Sequence, residues 1–154
     1  MSALTDQITA AFAGVPHPTA VREIAPHQCE ECDALASAFL NHHFSALPSA
    51  TLEAQYASLP LLSPAAMHHY LPAYLLHALA HPESLVLQFS LYQLVPSAKE
   101  MADDPQYHHV RFDRFSEEQR HAVGAYLSHV YSSGLFTGSE PSIERAAALW
   151  PNVA

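Results

Sequence analysis

Apolar residues recur with helical spacing along most of the chain, and the strongest stretch is Leu61 to Pro82, LLSPAAMHHYLPAYLLHALAHP. At 100° per residue, Met67, Tyr70, Leu71, Tyr74, Leu75, Ala78 and Leu79 fall on one broad face, wide enough for a central core helix. Ser63 can cap its start by accepting a backbone N–H. Pro64 takes the first helical position, where a missing donor does no harm, and Pro82 closes the segment. Pro72 lies inside the pattern and removes the N–H that would reach the His68 carbonyl, so a kink is predicted midway.

The same period appears on both sides. Leu4, Ile8, Ala11 and Phe12 share a face, and Gly14 is placed to end that helix in a left-handed turn. The next segment, VPHPTAVREIAPHQ, holds three prolines and no sustained period, and reads as a loop. A second helix starts near Cys29 and runs to about His43, with Cys32, Leu35, Ala36, Phe39, Leu40 and His43 on one stripe. Glu30, Glu31 and Asp33 crowd its first turn, where negative charge suits the helix dipole. Residues 52–59 suggest a short helix stopped by Pro60.

Beyond Pro82, SLVLQFSLYQLV is apolar all round as a helix, yet Leu85, Leu87, Phe89 and Leu91 also alternate as a strand would. A buried helix is the preferred reading. The alternative pairs 85–94 with YHHVRFDRF at 107–115 as one hairpin, since a strand needs a partner. Residues 97–106 read as a polar connection. Ser116 and Gln119 form the two ends of a capping box, followed by Val123, Tyr126, Leu127 and Val130 on one stripe. After SSGLFTGS, which reads as flexible, a last helix spans about Glu140 to Trp150, with Ile143, Ala147 and Trp150 as its docking residues. The predicted fold is all-α: a single compact domain, 1–154, of about five to seven helices around the Pro-kinked one.

At 154 residues and 49% hydrophobic content, the chain can bury a core without staples. Six Lys plus Arg against fifteen Asp plus Glu leave a net charge of -9, which repels phosphate backbones and excludes nucleic acid as an expected partner. No apolar run reaches the length of a bilayer span, so no membrane partner is expected either. The first residues carry no basic start followed by an apolar core, so they do not read as a secretory signal. Two cysteines three residues apart do not make a disulfide framework and suit a reducing cytoplasm.

His27, Cys29 and Cys32 form the strongest local constellation. Thiolates beside an imidazole suit zinc, and a structural site needs four ligands, so at least one must come from another segment. His42 and His43 are too far along a continuous helix: eleven residues beyond Cys32, His43 lies roughly 16 Å away at 1.5 Å per residue. The ordinary alternative is burial, because Cys32 shares the stripe of Ala36 and Phe39 and an unreactive cysteine packs as a small apolar side chain. A third reading is thiol redox chemistry, which a helix N-terminus favours and the neighbouring Glu30, Glu31 and Asp33 oppose.

Twelve histidines are the compositional anomaly. His77 and His81 stand one turn apart, a spacing that lets two imidazoles meet one metal, without the intervening glutamate of H-E-x-x-H. His77 also borders Tyr70 and Tyr74, as a hydrogen-bonded residue at the edge of an apolar face would. His68 and His69 straddle the face of their helix, His108 and His109 fall in a segment that reads as exposed, and His121 and His129 lie opposite the apolar stripe. No Gly-rich phosphate loop, G-x-S-x-G or paired-carboxylate pattern is present, so the sequence points away from an enzyme.

Three segments, HQCEEC at 27–32, LLSPAAMHHYLPAYLLHAL at 61–79 and FSEEQRHAVGAYLSHV at 115–130, together resemble an uncharacterised bacterial family of small domains. YLPA at 70–73 is the most specific word. The resemblance implies a compact, mostly helical domain and brings no activity or catalytic residue with it. From the residues themselves, the expected function is binding of a partner protein, as an immunity or regulatory factor, with Glu30, Glu31 and Asp33 as docking residues for a basic surface. The expected cofactor is none, or zinc on Cys29, Cys32 and His27.

Overall fold

The computed structural model describes residues 2–136 and 140–153, with the backbone alone at 140 and 141. Ten α-helices occupy them: α1 (Ala3–Phe12), α2 (Val21–Ile24), α3 (Glu30–Phe39), α4 (Ser49–Ala54), α5 (Pro64–Ala80), α6 (Leu85–Leu94), α7 (Ala98–Asp103), α8 (Pro105–Phe112), α9 (Glu117–Ser132) and α10 (Glu140–Leu149). Two 3-10 turns, Phe44–Ala46 and Leu59–Leu61, complete them. The fold is all-α, and among the described residues there is no strand. Both halves of the alternative hairpin are helical, since the stretch at 85–94 is α6 and most of 107–115 belongs to α8. Of the expected flexible stretch 132–139, residues 137–139 lie outside those described.

The chain divides into two compact units, one formed by Gly14–Ser90 and the other by Met1–Ala13 with Leu91–Ala154. In the first, α5 is the organising element. Ser63 caps it by accepting the Ala66 N–H at 3.0 Å, and Pro64 opens its first turn. The same serine donates its hydroxyl to the Glu23 carbonyl, and its N–H bonds the Ile24 carbonyl at 2.8 Å. One cap residue therefore also fastens α2, which occupies part of the stretch expected to be loop.

Met67, Tyr70, Leu71, Tyr74, Leu75 and Ala78 are buried as the face predicts, but so are His69, Pro72, Ala73 and His77. Burial around most of its circumference makes α5 a core helix, with apolar packing as its main support. Its tyrosines place their hydroxyls on carbonyls just at or beyond the C-terminal ends of neighbouring helices. Tyr70 Oη lies 3.0 Å from the Phe39 carbonyl and 2.9 Å from that of His42, and Tyr74 donates to the Gln55 carbonyl at 2.8 Å.

These contacts account for the early end of α3. The apolar stripe continues to His43, yet the helix stops at Phe39 and Asn41 turns left-handed at φ 65°. Asparagine tolerates that region better than most residues. Tyr70 then satisfies carbonyls that a longer helix would have bonded internally.

In the second unit, both ends of the predicted capping box are made. Ser116 Oγ accepts the Gln119 N–H at 3.1 Å, and Gln119 Oε1 accepts the Ser116 N–H at 2.9 Å. Gln119 also donates from Nε2 to the Ala11 carbonyl, tying α9 to α1. Gly14 does not adopt the expected left-handed turn. Ala13 stays right-handed, and among the described residues the positive φ values fall at Asn41, Gly134 and Asn152.

The polar stretch 97–106 is not a plain connection. Ser97 and Glu100 make a second capping box that starts α7, and Asp104 caps α8 by accepting the Tyr107 N–H at 3.1 Å. Polarity there marks helix starts, because capping needs side-chain oxygens. At the C-terminal end, Trp150 is buried and its indole N–H donates to the Leu94 carbonyl at 2.8 Å, whereas Ala146, not Ala147, is the buried alanine of α10. A side chain at Gly124 would place its Cβ 1.6 Å from the Pro151 carbonyl oxygen, so only glycine admits this approach.

Candidate functional site

Cys29 is the N-cap of α3. Its backbone is extended, its side chain is exposed, and its Sγ accepts the Cys32 N–H at 3.2 Å. Cys32, three residues on, points inward and is buried beside Leu35 and Ala36 in the sequence of core positions. Both cysteines are free thiols. The Cys32 thiol is pushed up to about 11. The contact with Cys29 contributes most, followed by burial and by the negative charge of Cys29, Asp33 and Glu31.

The approach to Cys29 is held by one guanidinium. Arg22 Nη1 donates to the Ala25 and His27 carbonyls at 3.3 and 2.6 Å, and Nη2 pairs with Asp33 Oδ1 at 2.7 Å. Of the three expected docking residues, Asp33 is thus engaged within the chain. Glu30 and Glu31 are exposed, with no ion pair among the described residues, and Glu31 also lines a cleft of about 330 Å³ with Tyr56 and Leu61. His27 is exposed and contributes its carbonyl to Arg22. Among the described residues no three His, Cys, Asp or Glu side chains are arranged to hold one metal ion. A zinc site on Cys29, Cys32 and His27 would therefore need movement of His27 or a ligand from a second chain.

The histidines are sorted by tertiary contacts that the sequence did not reveal. His69 is fully buried, with Nδ1 3.0 Å from the Val15 carbonyl and Nε2 accepting the Phe44 N–H at 3.0 Å. The acceptor role of Nε2 puts the proton on Nδ1. His17 and His43 lie against it, with ring centroids 5.5 and 4.9 Å away. Burial chiefly, and the charges of His43, His17 and His68, push the His69 imidazole down to about 4. Both of its nitrogens are occupied, so this group of three rings locks chain segments together and offers no common ligand position.

His77 is buried and hydrogen-bonded, its Nε2 lying 2.6 Å from Glu53 Oε1. His108 is also buried, contrary to its exposed-looking segment, whereas His129 is exposed and His121 contacts Asn152 at 2.6 Å. The helical spacing of His77 and His81 was visible in the sequence. Glu53, 24 residues away and on α4, was not.

No helix among the described residues is long and apolar enough to cross a membrane. No curated protein and no solved structure matches the chain. A family model does, over residues 1–154: the chain belongs to the family of unknown function DUF6714.

Proposed function

We propose that this protein is a small cytoplasmic regulatory protein that acts on a partner protein through thiol–disulfide exchange at Cys29 and Cys32. The observation that carries the reading is the division of labour between the two cysteines: Cys29 is exposed at the helix N-cap, and Cys32 is buried three residues on, with its N–H bonded to Cys29 Sγ. An accessible sulfur can attack, and a shielded neighbour can resolve the product. The Cys29 thiolate attacks one sulfur of a partner disulfide, forming a mixed disulfide and releasing the other partner sulfur. Cys32 gives up its proton and attacks Cys29 Sγ, so that a Cys29–Cys32 disulfide forms and the second partner sulfur leaves. Two electrons pass to the partner, whose two thiols take up the two protons.

Glu30 and Glu31 favour a partner with positive charge beside its disulfide, since both carboxylates stand exposed next to Cys29. The competing reading is zinc on the same sulfurs with His27. Intact-mass analysis separates them after the chelator-free, untagged protein is treated with oxidised glutathione, an acyclic disulfide whose adduct leaves only when a second protein thiol resolves it. A reversible loss of two hydrogens is expected in the wild type and none in Cys32→Ser, where an added disulfide should instead remain trapped on Cys29. About one zinc per chain, lost in the Cys29→Ser, Cys32→Ser double variant, would replace the redox reading. Thiols that stay reduced until the protein unfolds would make both cysteines packing residues.

A further inference from the structure

A second group of titratable side chains lies at the C-terminal end of α5, away from the dithiol in sequence and unused by it. His77 and His81 stand one turn apart, with ring centroids 4.7 Å apart and planes inclined by 38°. Both line a cleft of about 230 Å³ whose other walls include Phe44, Leu52 and Leu76. Each ring turns one nitrogen toward a carboxylate. His77 Nε2 is 2.6 Å from Glu53 Oε1, and His81 Nδ1 is 3.6 Å from Glu83 Oε1. Glu53 is further held by Ser84, and these two contacts keep its carboxyl below the usual carboxylate range. The opposite nitrogens, His77 Nδ1 and His81 Nε2, have no hydrogen-bond partner among the described residues.

Metal-binding imidazoles are typically held as His77 is, whereas His81 meets Glu83 only as a longer ion-pair contact. One nitrogen meets the ion while the other donates to a carboxylate that fixes the tautomer and raises the basicity of the ring. We propose that His77 Nδ1 and His81 Nε2 together bind one divalent transition-metal ion, with Glu53 and Glu83 behind the rings and water completing the shell. The ring separation admits this. An ion bound at about 2.1 Å from each nitrogen lies about 3.2 Å from each ring centre, and centres 4.7 Å apart then subtend about 95° at the ion, between octahedral and tetrahedral angles. Imidazole ligands suit zinc, copper and nickel. The carboxylate that the H-E-x-x-H pattern would supply from the same helix comes here from α4, and it supports a ligand instead of facing the ion.

The test is a calorimetric titration of the untagged full chain with Zn²⁺ at pH 7.5, in a Cys29→Ser, Cys32→Ser background so that no thiolate competes. One ion per chain is expected. His81 has a 45% exposed side chain, so His81→Ala should keep the fold, checked by circular dichroism, while lowering affinity at least tenfold. Glu53→Gln should weaken binding roughly ten- to a hundredfold. Absence of binding overturns the proposal, and so does an affinity unchanged in His81→Ala. Binding that is indifferent to Glu53→Gln overturns it as well, because the ion would then sit on an exposed imidazole alone.

Discussion

The α3 N-terminus and the His69 position both present titratable side chains within the same unit, but they are built on opposite principles. Cys29 and Cys32 sit three residues apart, and the contact between them closes within a single helical turn at the surface. His69 takes its two partners from Val15 and Phe44, 54 and 25 residues away in the chain, and has no exposed surface. A locally closed arrangement leaves one member accessible at little cost to the fold. A group whose every polar atom completes a long-range contact is structural, and altering it must disturb the segments it joins. Chemical potential to react therefore belongs to the sulfurs, and tertiary stability to the imidazole.

Removing His69 should have the largest effect. His69→Ala would leave the Val15 carbonyl and the Phe44 N–H without their partner and open a cavity. Denaturant unfolding should show a loss of about 3–5 kcal/mol. A loss under about 1 kcal/mol would mean that the buried ring is not the fastening point between these segments.

Acid should act on the same position next. His69 is neutral in the folded chain and pushed down to about 4 from an ordinary 6.5, so the unfolded chain takes up a proton first as the pH falls. Its stabilisation is complete above about pH 6.5, declines between 6.5 and 4, and amounts to roughly 3 kcal/mol at most. Unfolding free energies measured across that range should flatten in His69→Gln. The cysteine pair contributes on the other side of neutrality. With its thiol raised to about 11 from 9.0, Cys32 favours the folded state below pH 9, and that contribution is lost as the pH rises toward 11.

Smaller effects are expected at the sulfurs themselves. Cys32→Ser buries a hydroxyl in place of a thiol and should cost about 1–2 kcal/mol by the same unfolding measurement. Cys29→Ser replaces one N-cap acceptor by a better one at an exposed site, and stability should stay within about 0.5 kcal/mol. If Cys29→Ser were as damaging as His69→Ala, the α3 turn would be as structural as the histidine and the contrast between them would fail.

Helix starts were the most legible part of the molecule. Ser63 with Pro64, and Ser116 with Gln119, are complete statements within four residues, and both caps form as read. The signals at Ser97 and Glu100, and at Asp104 and Pro105, were equally local and were obscured by reading polarity as loop. The end of α3 was not legible, because the stripe to His43 favours continuation and the Tyr70 hydroxyl that meets the Phe39 and His42 carbonyls comes from another helix. For the candidate site, the proximity of Cys29 to Cys32 followed from i, i+3 geometry, as did that of His77 to His81. The engagement of Asp33 by Arg22, the carboxylate behind His77 and the burial of His69 did not.

What the sequence by itself determined is a preferred all-α class with one hairpin left open, the limits of α5, the start of α9 and the pairing of residues one turn apart. Those rest on backbone hydrogen bonds and caps whose donors and acceptors lie within a few residues of each other. Only the tertiary structure decided which histidines are structural, which carboxylates are free and where α3 stops. Each of those outcomes depends on a partner brought from tens of residues away, and the periodicity of a single helix carries no record of the groups that will face it.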